Sequence, residues 1–460
     1  MWRVVFMEKG TTIGRERIAA LFDSGTFVET GAYVKREGGE MTGVVCGYGA
    51  IGGKLVYAFS QDSDRKKGAF DALQAKKIAA LYGMAMKNGA PVVGMFDSAG
   101  AVLCDGATAL SAYGTLLKCV SDASGVIPQI AVISGVCSGM AATVAAMFDV
   151  LVTVKEKSEL FVNAPFTVGK EVGTTEAVAK NGLASVEAED DADANAKVAK
   201  LVAMLPSNNA EGVVAEDITD DVNRIVNVDG KNGTDLIETL ADAGEFVEIG
   251  GAYAKEMLTG LCSFGGVTCG VVANNAGEKN GTITVDGAKK AARLVSFCDS
   301  FSIPVVTLVN STGVEVSKDA ENAPLAAQLG KLAMAYATAE TAKITVVVGK
   351  AYGAAFTLMG SKALGADMVY ALEGAEISVM DPASAVAFLW NDRITPEVSR
   401  SDLETEWKET QASAEAAAKD GSIDDVINAA ELRQRICAAV YMLLMKNDGT
   451  PARKHCNLPL

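Results

Sequence analysis

Two copies of one short pattern decide the fold of this chain. The first copy reads PVVGMFDSAG at Pro91–Gly100, and the second reads PVVTLVNSTG at Pro304–Gly313. Each copy is an apolar run rich in β-branched residues that ends in small residues and glycine. Such a run is typical of a buried strand that leads into a turn. Because Pro304 lies 213 residues after Pro91, the pattern predicts a long internal repeat.

Further matches occur in the same order along both halves of the chain. Their offsets stay between 213 and 220 residues, and this many ordered matches at nearly constant spacing indicate a domain duplication. We therefore expect two homologous domains, 1–215 and 216–460, with the last helix of the first domain and a linker within Ala188–Asn209. The matched segments are Gly25–Glu29 with Gly244–Glu248, Gly31–Tyr33 with Gly251–Tyr253, Ala75–Lys77 with Ala288–Lys290, and Gly135 and Gly139 with Gly349 and Gly353.

Each half alternates strand-like and helix-like segments. Apolar segments at Leu55–Phe59 and Val267–Ala273 predict strands, and long helical patterns follow at Gly68–Asn88 and Asp286–Ser302. Alternation of this kind indicates an α/β fold with a buried, mostly parallel sheet.

The composition supports a well-packed protein and excludes several functions. The 460 residues are 49% hydrophobic, include 46 glycines and carry a formal net charge of −16. Such a charge argues against nucleic acid and anionic membrane surfaces as partners. Nine cysteines without a CxxC motif are typical of reduced thiols. The sequence shows no signal peptide and no apolar run of membrane-spanning length, so we expect a cytoplasmic protein without membrane insertion.

The turns that follow the strands are the candidate sites. Such turns occur at Ser98–Ala101, Gly135–Ala141, Ser311–Val314 and Gly349–Phe356. Backbone N–H groups at strand-to-helix turns can bind anions. Two successive N–H groups, those of Gly139 and Met140 in the first half and of Ala354 and Ala355 in the second, could hold an oxyanion. The alternative is that small residues at these turns only let the helices pack against the sheet.

Side-chain nucleophiles are poor candidates. Cys104 and Cys137 lie near these turns, but the only histidine is His455, close to the C-terminus. A mid-chain Ser-His-Asp triad and a multi-histidine metal site are therefore excluded, and no metal is expected. The lack of side-chain candidates favours chemistry that depends on backbone donors and a bound cofactor.

Nearly the whole chain resembles a known family. The sequence is similar to the carboxyltransferase component of biotin-dependent acyl-CoA carboxylases and of the related sodium-pumping acyl-CoA decarboxylases. The strings that carry the resemblance include RERIAALFDSGTFVE at Arg15–Glu29, AKKIAALYGMAMKNGAPVVGMFDSAGA at Ala75–Ala101, KAYGAAFTLMGSKALGADMVYALEGAEISVM at Lys350–Met380 and RKHCNLPL at Arg453–Leu460.

The resemblance implies a fold and a division of labour. It implies two crotonase-like domains, each a spiral of ββα units, with acyl-CoA on 1–215 and carboxybiotin on 216–460. The carboxyl group would move between N1′ of biotin and the α-carbon of a CoA thioester. The thioester oxyanion hole falls on Gly139 and Met140, and the biotin hole falls on Ala354 and Ala355. Further cofactor contacts are expected at Ala99, Gly100, Ala101, Gly135, Tyr352 and Gly353.

The resemblance also implies partners. Biotin would arrive on a separate biotin carboxyl carrier protein, because this chain has no biotinylation motif of its own. A biotin carboxylase would make the complex a carboxylase, whereas a membrane sodium-pump subunit would make it a decarboxylase. The expected assembly is a homo-oligomer, a hexamer built from dimers. In it the first domain of one subunit meets the second domain of another at the active site.

Two other functions remain open at this stage. One is a catalytically altered paralogue with a structural role, because the loop Ala99–Gly106 lacks an arginine common in the family and Met140 replaces a glycine. The other is a cofactor-free hydrolase or isomerase of the crotonase type, which would need a carboxylate or histidine near Gly139–Ala141. The sequence shows no such group.

Overall fold

The computed structural model describes residues 12–35, 41–215 and 217–446. His455 and the family-like string at Arg453–Leu460 lie outside the described residues. The chain divides into two compact units, Met1–Glu211 and Gly212–Leu460. The domain boundary expected after residue 215 lies close to this division.

The described part of the first unit is built on one mixed sheet. Strands β1, β2 and β3 pair antiparallel, and the strands that follow pair in parallel in the order β3-β4-β5-β6-β8, while β7 pairs with the end of β5. The strands are β1 Val28–Thr30, β2 Val44–Ile51, β3 Lys54–Gln61, β4 Val92–Ser98, β5 Gln129–Ser138, β6 Val150–Val154, β7 Glu159–Phe161 and β8 Val186–Ala188; the helices are α1 Ile13–Leu21, α2 Ala72–Asn88, α3 Ala107–Ala123, α4 Met140–Ala146, α5 Pro165–Val168, α6 Thr175–Lys180 and α7 Asp191–Met204.

The second unit repeats this topology strand for strand. Its sheet has the order β9-β10-β11-β12-β13-β14-β16, and β15 pairs with the end of β13. The strands are β9 Phe246–Glu248, β10 Met257–Phe264, β11 Val267–Asn274, β12 Val305–Ser311, β13 Lys343–Tyr352, β14 Met368–Leu372, β15 Glu376–Ser378 and β16 Asp425–Ile427; the helices are α8 Gly233–Leu240, α9 Val285–Ser300, α10 Lys318–Asn322, α11 Leu325–Thr338, α12 Ala354–Leu358, α13 Pro382–Leu389, α14 Arg400–Thr410, α15 Ala414–Lys419 and α16 Leu432–Leu443.

The predicted strands and helices are present, with shifted starts. Helix α2 begins at Ala72 and not at Gly68, because the Asp71 side chain caps it by accepting from the Gln74 N–H at 2.9 Å. It ends where Gly89 takes the left-handed conformation. Capping side chains, which periodicity does not count, therefore set the helix boundaries.

The repeated strand lies at the centre of each sheet. All residues of β4 are buried, and its Phe96 ring packs edge-on against Phe59 and Phe148, each at 5.5 Å between ring centroids. A strand covered on both faces explains the continuous apolar run. Within the described residues, no helix has both the length and the apolar character needed to cross a membrane.

Candidate active site

The same strand-to-helix turn follows the fifth strand of each unit. Gly139 precedes α4 with φ +63° and ψ −129°, and Gly353 precedes α12 with φ +56° and ψ −134°. This combination of angles is open to glycine and strongly disfavoured for L-residues with a Cβ. The repeated glycine is thus required by the backbone at the residue that precedes each helix.

The first N–H of each turn is already engaged. The Gly139 N–H donates to the Phe161 carbonyl at 2.9 Å, and the Gly353 N–H donates to the Ser378 carbonyl at 2.8 Å. These bonds attach the turn to β7 in one unit and to β15 in the other. The Gly139 hydrogen bond argues against the expectation that this residue donates to an oxyanion.

The next two N–H groups remain available. Among the described residues, no acceptor faces the N–H of Met140 or Ala141, which open α4. The same holds for Ala354 and Ala355, which open α12. The two pairs occupy equivalent positions in the repeat. The geometry therefore moves the candidate donor pair of the first unit one residue along, from Gly139 and Met140 to Met140 and Ala141.

The loop after β4 lies beside the first-unit turn. Ser98 pairs with Cys137 in the sheet, and the Ser138 hydroxyl donates to the Ser98 carbonyl at 3.3 Å. A Cβ placed on Gly100 would lie 3.3 Å from Ser138 Oγ. The structure thus brings the expected contact residues Ala99, Gly100 and Ala101 to the edge that holds the candidate donor pair.

Gly135 has a packing role that sequence reasoning missed. A Cβ at Gly135 would lie 2.4 Å from Asp97 Oδ1, and a Cβ at Gly349 would lie 2.4 Å from Asn310 Oδ1. Each glycine therefore admits a polar side chain from the fourth strand of its unit, at the point where the register between the fourth and fifth strands shifts. Gly135 was expected to contact a cofactor, and this close packing gives a sufficient reason for a glycine there.

A cavity of about 600 Å³ opens at the second-unit turn. Gly353 and Ala354 form part of its wall, and Ile377, Val379 and Phe356 add apolar surface. Its other lining residues, which are mainly polar, come from α12, β15, the end of α14 and the region around α15: Thr357, Ser378, Thr410, Gln411, Ala416, Ala417, Lys419, Asp420 and Ser422.

Tyr352 supports this cavity from within the fold. Its side chain is buried, and its hydroxyl donates to Glu376. Burial and the Glu376 carboxylate raise the pKa of Tyr352, so the phenol stays protonated. Trp407 Nε1 donates to Ser378 Oγ at 3.1 Å, which fixes the strand that accepts the Gly353 N–H. Tyr352 was expected to contact the cofactor; the described contacts show it holding β15.

Thiol and metal chemistry have little support in the described residues. Cys137 is buried, and burial raises the pKa of its thiol, so it is a poor nucleophile. Cys104 is exposed and adjoins Asp105. Within the part of the chain that the structure describes, no group of three or more His, Cys, Asp or Glu side chains is placed to hold a metal ion.

Comparison with known proteins decides the family. The model of the carboxyl transferase domain matches residues 7–458. The chain belongs to the carboxyl transferase family. Methylmalonyl-CoA decarboxylase subunit alpha of Propionigenium modestum is 35% identical over 98% of this chain and 94% of its own length. The propionyl-CoA carboxylase beta chain of Roseobacter denitrificans is also 35% identical, with the same coverage.

Solved structures of this carboxyl transferase family show the same fold. A transcarboxylase 12S crystal structure, described as a hexamer with methylmalonyl-coenzyme A and methylmalonic acid bound, matches with a TM-score of 0.92. It is 34% identical to this chain, and the match covers 98% of this chain and 93% of the transcarboxylase chain. The expected duplicated α/β fold of crotonase-like type and the expected enzyme class, a carboxyltransferase, are confirmed.

Proposed function

We propose that this carboxyltransferase moves a carboxyl group between carboxybiotin and the α-carbon of a short-chain acyl-CoA. One observation carries the proposal: at the same turn of each unit, two successive N–H groups have no acceptor among the described residues, those of Met140 and Ala141 in one unit and of Ala354 and Ala355 in the other. The reaction needs two such pairs, because one oxygen on each reactant gains negative charge as the carboxyl group moves.

The first-unit pair is assigned to the thioester. When the α-carbon loses or gains a carboxyl group, negative charge develops on the thioester oxygen. The N–H groups of Met140 and Ala141 would donate to that oxygen. A preorganised donor lowers such a barrier by several kcal/mol, with about 10²–10³ in rate per donor. The nearby loop Ala99–Ala101 would border the thioester.

The second-unit pair is assigned to biotin. Biotin, when bound, supplies the carboxyl group in an activated form on its ureido ring. The cavity of about 600 Å³ beside Gly353 fits that group, because it combines apolar walls with backbone donors and is large enough for a small bicyclic ring. Ala354 lines this cavity, and the N–H groups of Ala354 and the adjacent Ala355 would donate to the ureido oxygen.

The proposed partners follow from the relatives. Biotin would be carried by a separate biotin carboxyl carrier protein, and direction would be set by a biotin carboxylase or by a membrane sodium-pump subunit. Relatives with nearly full coverage are named as decarboxylase and carboxylase subunits, which supports both settings. The hexamer named for transcarboxylase 12S supports a homo-oligomer, and we propose that this homo-oligomer is a hexamer built from dimers. We place the complex in the cytoplasm.

The non-catalytic paralogue is not favoured. Replacing a glycine by Met140 leaves the backbone N–H in place, and the Met140 side chain is 37% exposed instead of filling the turn. The substitutions that suggest a non-catalytic paralogue therefore leave both pairs of backbone donors in place. The hydrolase or isomerase alternative has no support from residues 139–141, which include no carboxylate and no histidine.

A decarboxylation assay tests the proposal. Purified protein is incubated with free biotin and either malonyl-CoA or methylmalonyl-CoA, and CO2 release is followed. We expect slow, biotin-dependent release from one of them and CoA binding measurable by calorimetry. Absence of both turnover and CoA binding would refute the enzymatic function and leave the structural role.

A further inference from the structure

A further cavity, of about 840 Å³, lies in the second unit and shares no lining residue with the cavity at the second-unit turn. Its volume falls in the range of about 300–1,000 Å³ that is common for small-molecule sites. The buried part of its lining is apolar and includes Val228, Leu236 and Leu372. The exposed part is mainly polar and includes the carboxylates of Asp229 and Glu373. The cavity thus suits a ligand with an apolar segment and a polar end.

In the first unit, one arginine bridges the ends of two neighbouring strands. Arg17 of α1 is buried, and its Nη1 donates to Asp97 Oδ2 of β4 at 2.7 Å. Its Nη2 donates to the Ser134 carbonyl of β5 at 2.9 Å. The guanidinium group therefore serves two acceptors at this position of the fold.

The second unit keeps the position and lacks the arginine. By the offsets of the repeat, the equivalents of the three bridged residues are Leu236, Asn310 and Val348. All three line the cavity. Because a leucine side chain has no N–H group, nothing on α8 replaces the guanidinium. The cavity therefore opens where the first unit holds a cationic side chain of its own.

The charged groups of the lining favour a cationic ligand. Asp229 and Glu373 form no ion pair within the part of the chain that the structure describes. Lys231, which also lines the cavity, lies 3.0 Å from the Asp235 carboxylate, so its charge is already balanced. A bound cation would balance the two remaining carboxylates.

Asn310 provides a neutral acceptor in the same lining. Its amide oxygen accepts from the Lys350 N–H at 3.0 Å, and an amide oxygen has a second lone pair for another donor. Lys350 belongs to β13, the strand that leads to the donor pair of Ala354 and Ala355. A ligand bound to Asn310 would therefore be attached to the strand that precedes this pair.

We propose that this cavity binds an alkylguanidinium cation, of which free arginine is the simplest example. The alkyl chain packs on the apolar lining, as the stems of arginine side chains do in proteins. The planar guanidinium offers five N–H donors, which serve the Asn310 oxygen and the carboxylates together better than a single ammonium would. The second unit thus takes from solution the group that Arg17 supplies in the first. This inference goes beyond the proposed function and does not depend on it, because the two cavities share no residue.

Calorimetry with arginine and citrulline tests the site. Citrulline has the same chain and carries a neutral urea group in place of the guanidinium. We expect saturable binding of arginine to the wild type, with citrulline weaker by about tenfold or more, because charge-assisted hydrogen bonds are the stronger ones. The variant L236R/N310D copies Arg17 and Asp97, and its own guanidinium should fill the position. Arginine binding should therefore be lost in L236R/N310D.

A pair of surface variants tests the same site without a change in the core. Glu373→Gln removes one carboxylate of the lining and should weaken arginine binding by about three- to tenfold. Glu238→Gln removes an exposed carboxylate of α8 outside the lining and should match the wild type. Circular dichroism spectra report whether each variant is folded. If L236R/N310D does not fold, the comparison of Glu373→Gln with Glu238→Gln decides.

Three results would overturn the proposal. The first is a wild type that binds no arginine, and the second is equal affinity for arginine and citrulline. The third is arginine binding that persists in a folded L236R/N310D or is equally affected by Glu373→Gln and Glu238→Gln. Loss of carboxyl transfer in a protein that still binds arginine would refute the proposed function and leave the guanidinium site in place.

Discussion

Arg17 and Asp97 form a buried ion pair in the first unit, with 2.7 Å between Arg17 Nη1 and Asp97 Oδ2. Arg17 Nη2 also donates to the Ser134 carbonyl at 2.9 Å, directly before Gly135. By the offset of the repeat, the equivalent residues of the second unit are Leu236 and Asn310. Both charged residues of the first unit thus correspond to uncharged residues in the second unit, so neither charge of the pair occurs there without its partner.

This relationship predicts strong coupling between the two residues. Arg17→Leu should destabilise the protein by about 3–5 kcal/mol, because it leaves the Asp97 carboxylate buried without its cation. The double variant Arg17→Leu/Asp97→Asn, which copies the second unit, should recover a large part of that loss. Urea denaturation of the two single variants and the double variant measures the coupling.

An exposed pair serves as the control for this experiment. Lys180 pairs with Glu176 at the surface, and its removal should leave the urea midpoint nearly unchanged. Additive effects of Arg17→Leu and Asp97→Asn would show that the pair does not act as a unit.

Met140→Pro tests the first donor pair. Met140 is the first residue of α4, where proline is tolerated, so the substitution removes one N–H and spares the helix. We expect a loss of about 10²–10³ in the rate of decarboxylation with little change in folding. Rates from single-turnover assays and circular dichroism spectra provide the two measurements.

Met140→Gly separates the N–H from the side chain. It keeps the donor and should retain activity near that of the wild type. Equal activity in Met140→Pro and Met140→Gly would place the oxyanion hole elsewhere in the first unit.

Ala354→Pro makes the same change in the second unit. Ala354 is the exposed first residue of α12 and lines the cavity, so the helix should again survive. If the two units divide the ligands as proposed, this variant should weaken the use of free biotin and leave coenzyme A binding unchanged. Biotin-dependent rates and calorimetry with coenzyme A give the comparison, and a parallel loss of both would contradict the division.

The lowered pKa of Lys290 predicts that the stability of the protein depends on pH. Its ammonium group donates to the Tyr253 carbonyl at 2.8 Å, and burial lowers its pKa from 10.5 to about 8 despite the nearby carboxylates of Glu248 and Glu256. Between these two values the unfolded chain binds a proton that the folded chain lacks. The contribution of this group to stability therefore rises with pH from about 8 to 10.5.

Lys290→Met should abolish that contribution. The difference in unfolding free energy between the wild type and this variant should grow in favour of the wild type as the pH rises from 8 toward 10, and stay constant below about pH 7. Lys289→Met, at an exposed position of the same helix, should follow the wild type. A pH-independent difference for Lys290→Met would contradict the assignment.

Much of the architecture could be predicted because its signals are local. The apolar runs before Gly100 and Gly313 predict buried strands from residue type alone, and the same run occurs in both halves of the chain. The helix starts are predicted less accurately. The Asp71 side chain caps α2, so the helix begins at Ala72 and not at the predicted Gly68. The role of Gly135 was missed because the residue that needs the space, Asp97, comes from another strand.

The sequence alone determined the duplication, the α/β class and the two turns that carry the candidate donors, because these depend on residue order and short-range backbone preferences. Only the tertiary structure decided which N–H groups remain available. The Gly139 N–H is engaged by the Phe161 carbonyl of β7, a strand that reaches the turn only when the sheet forms. The Arg17–Asp97 pair joins residues 80 positions apart. Contacts of this kind depend on which strands and helices meet in space, and a linear pattern does not contain that information.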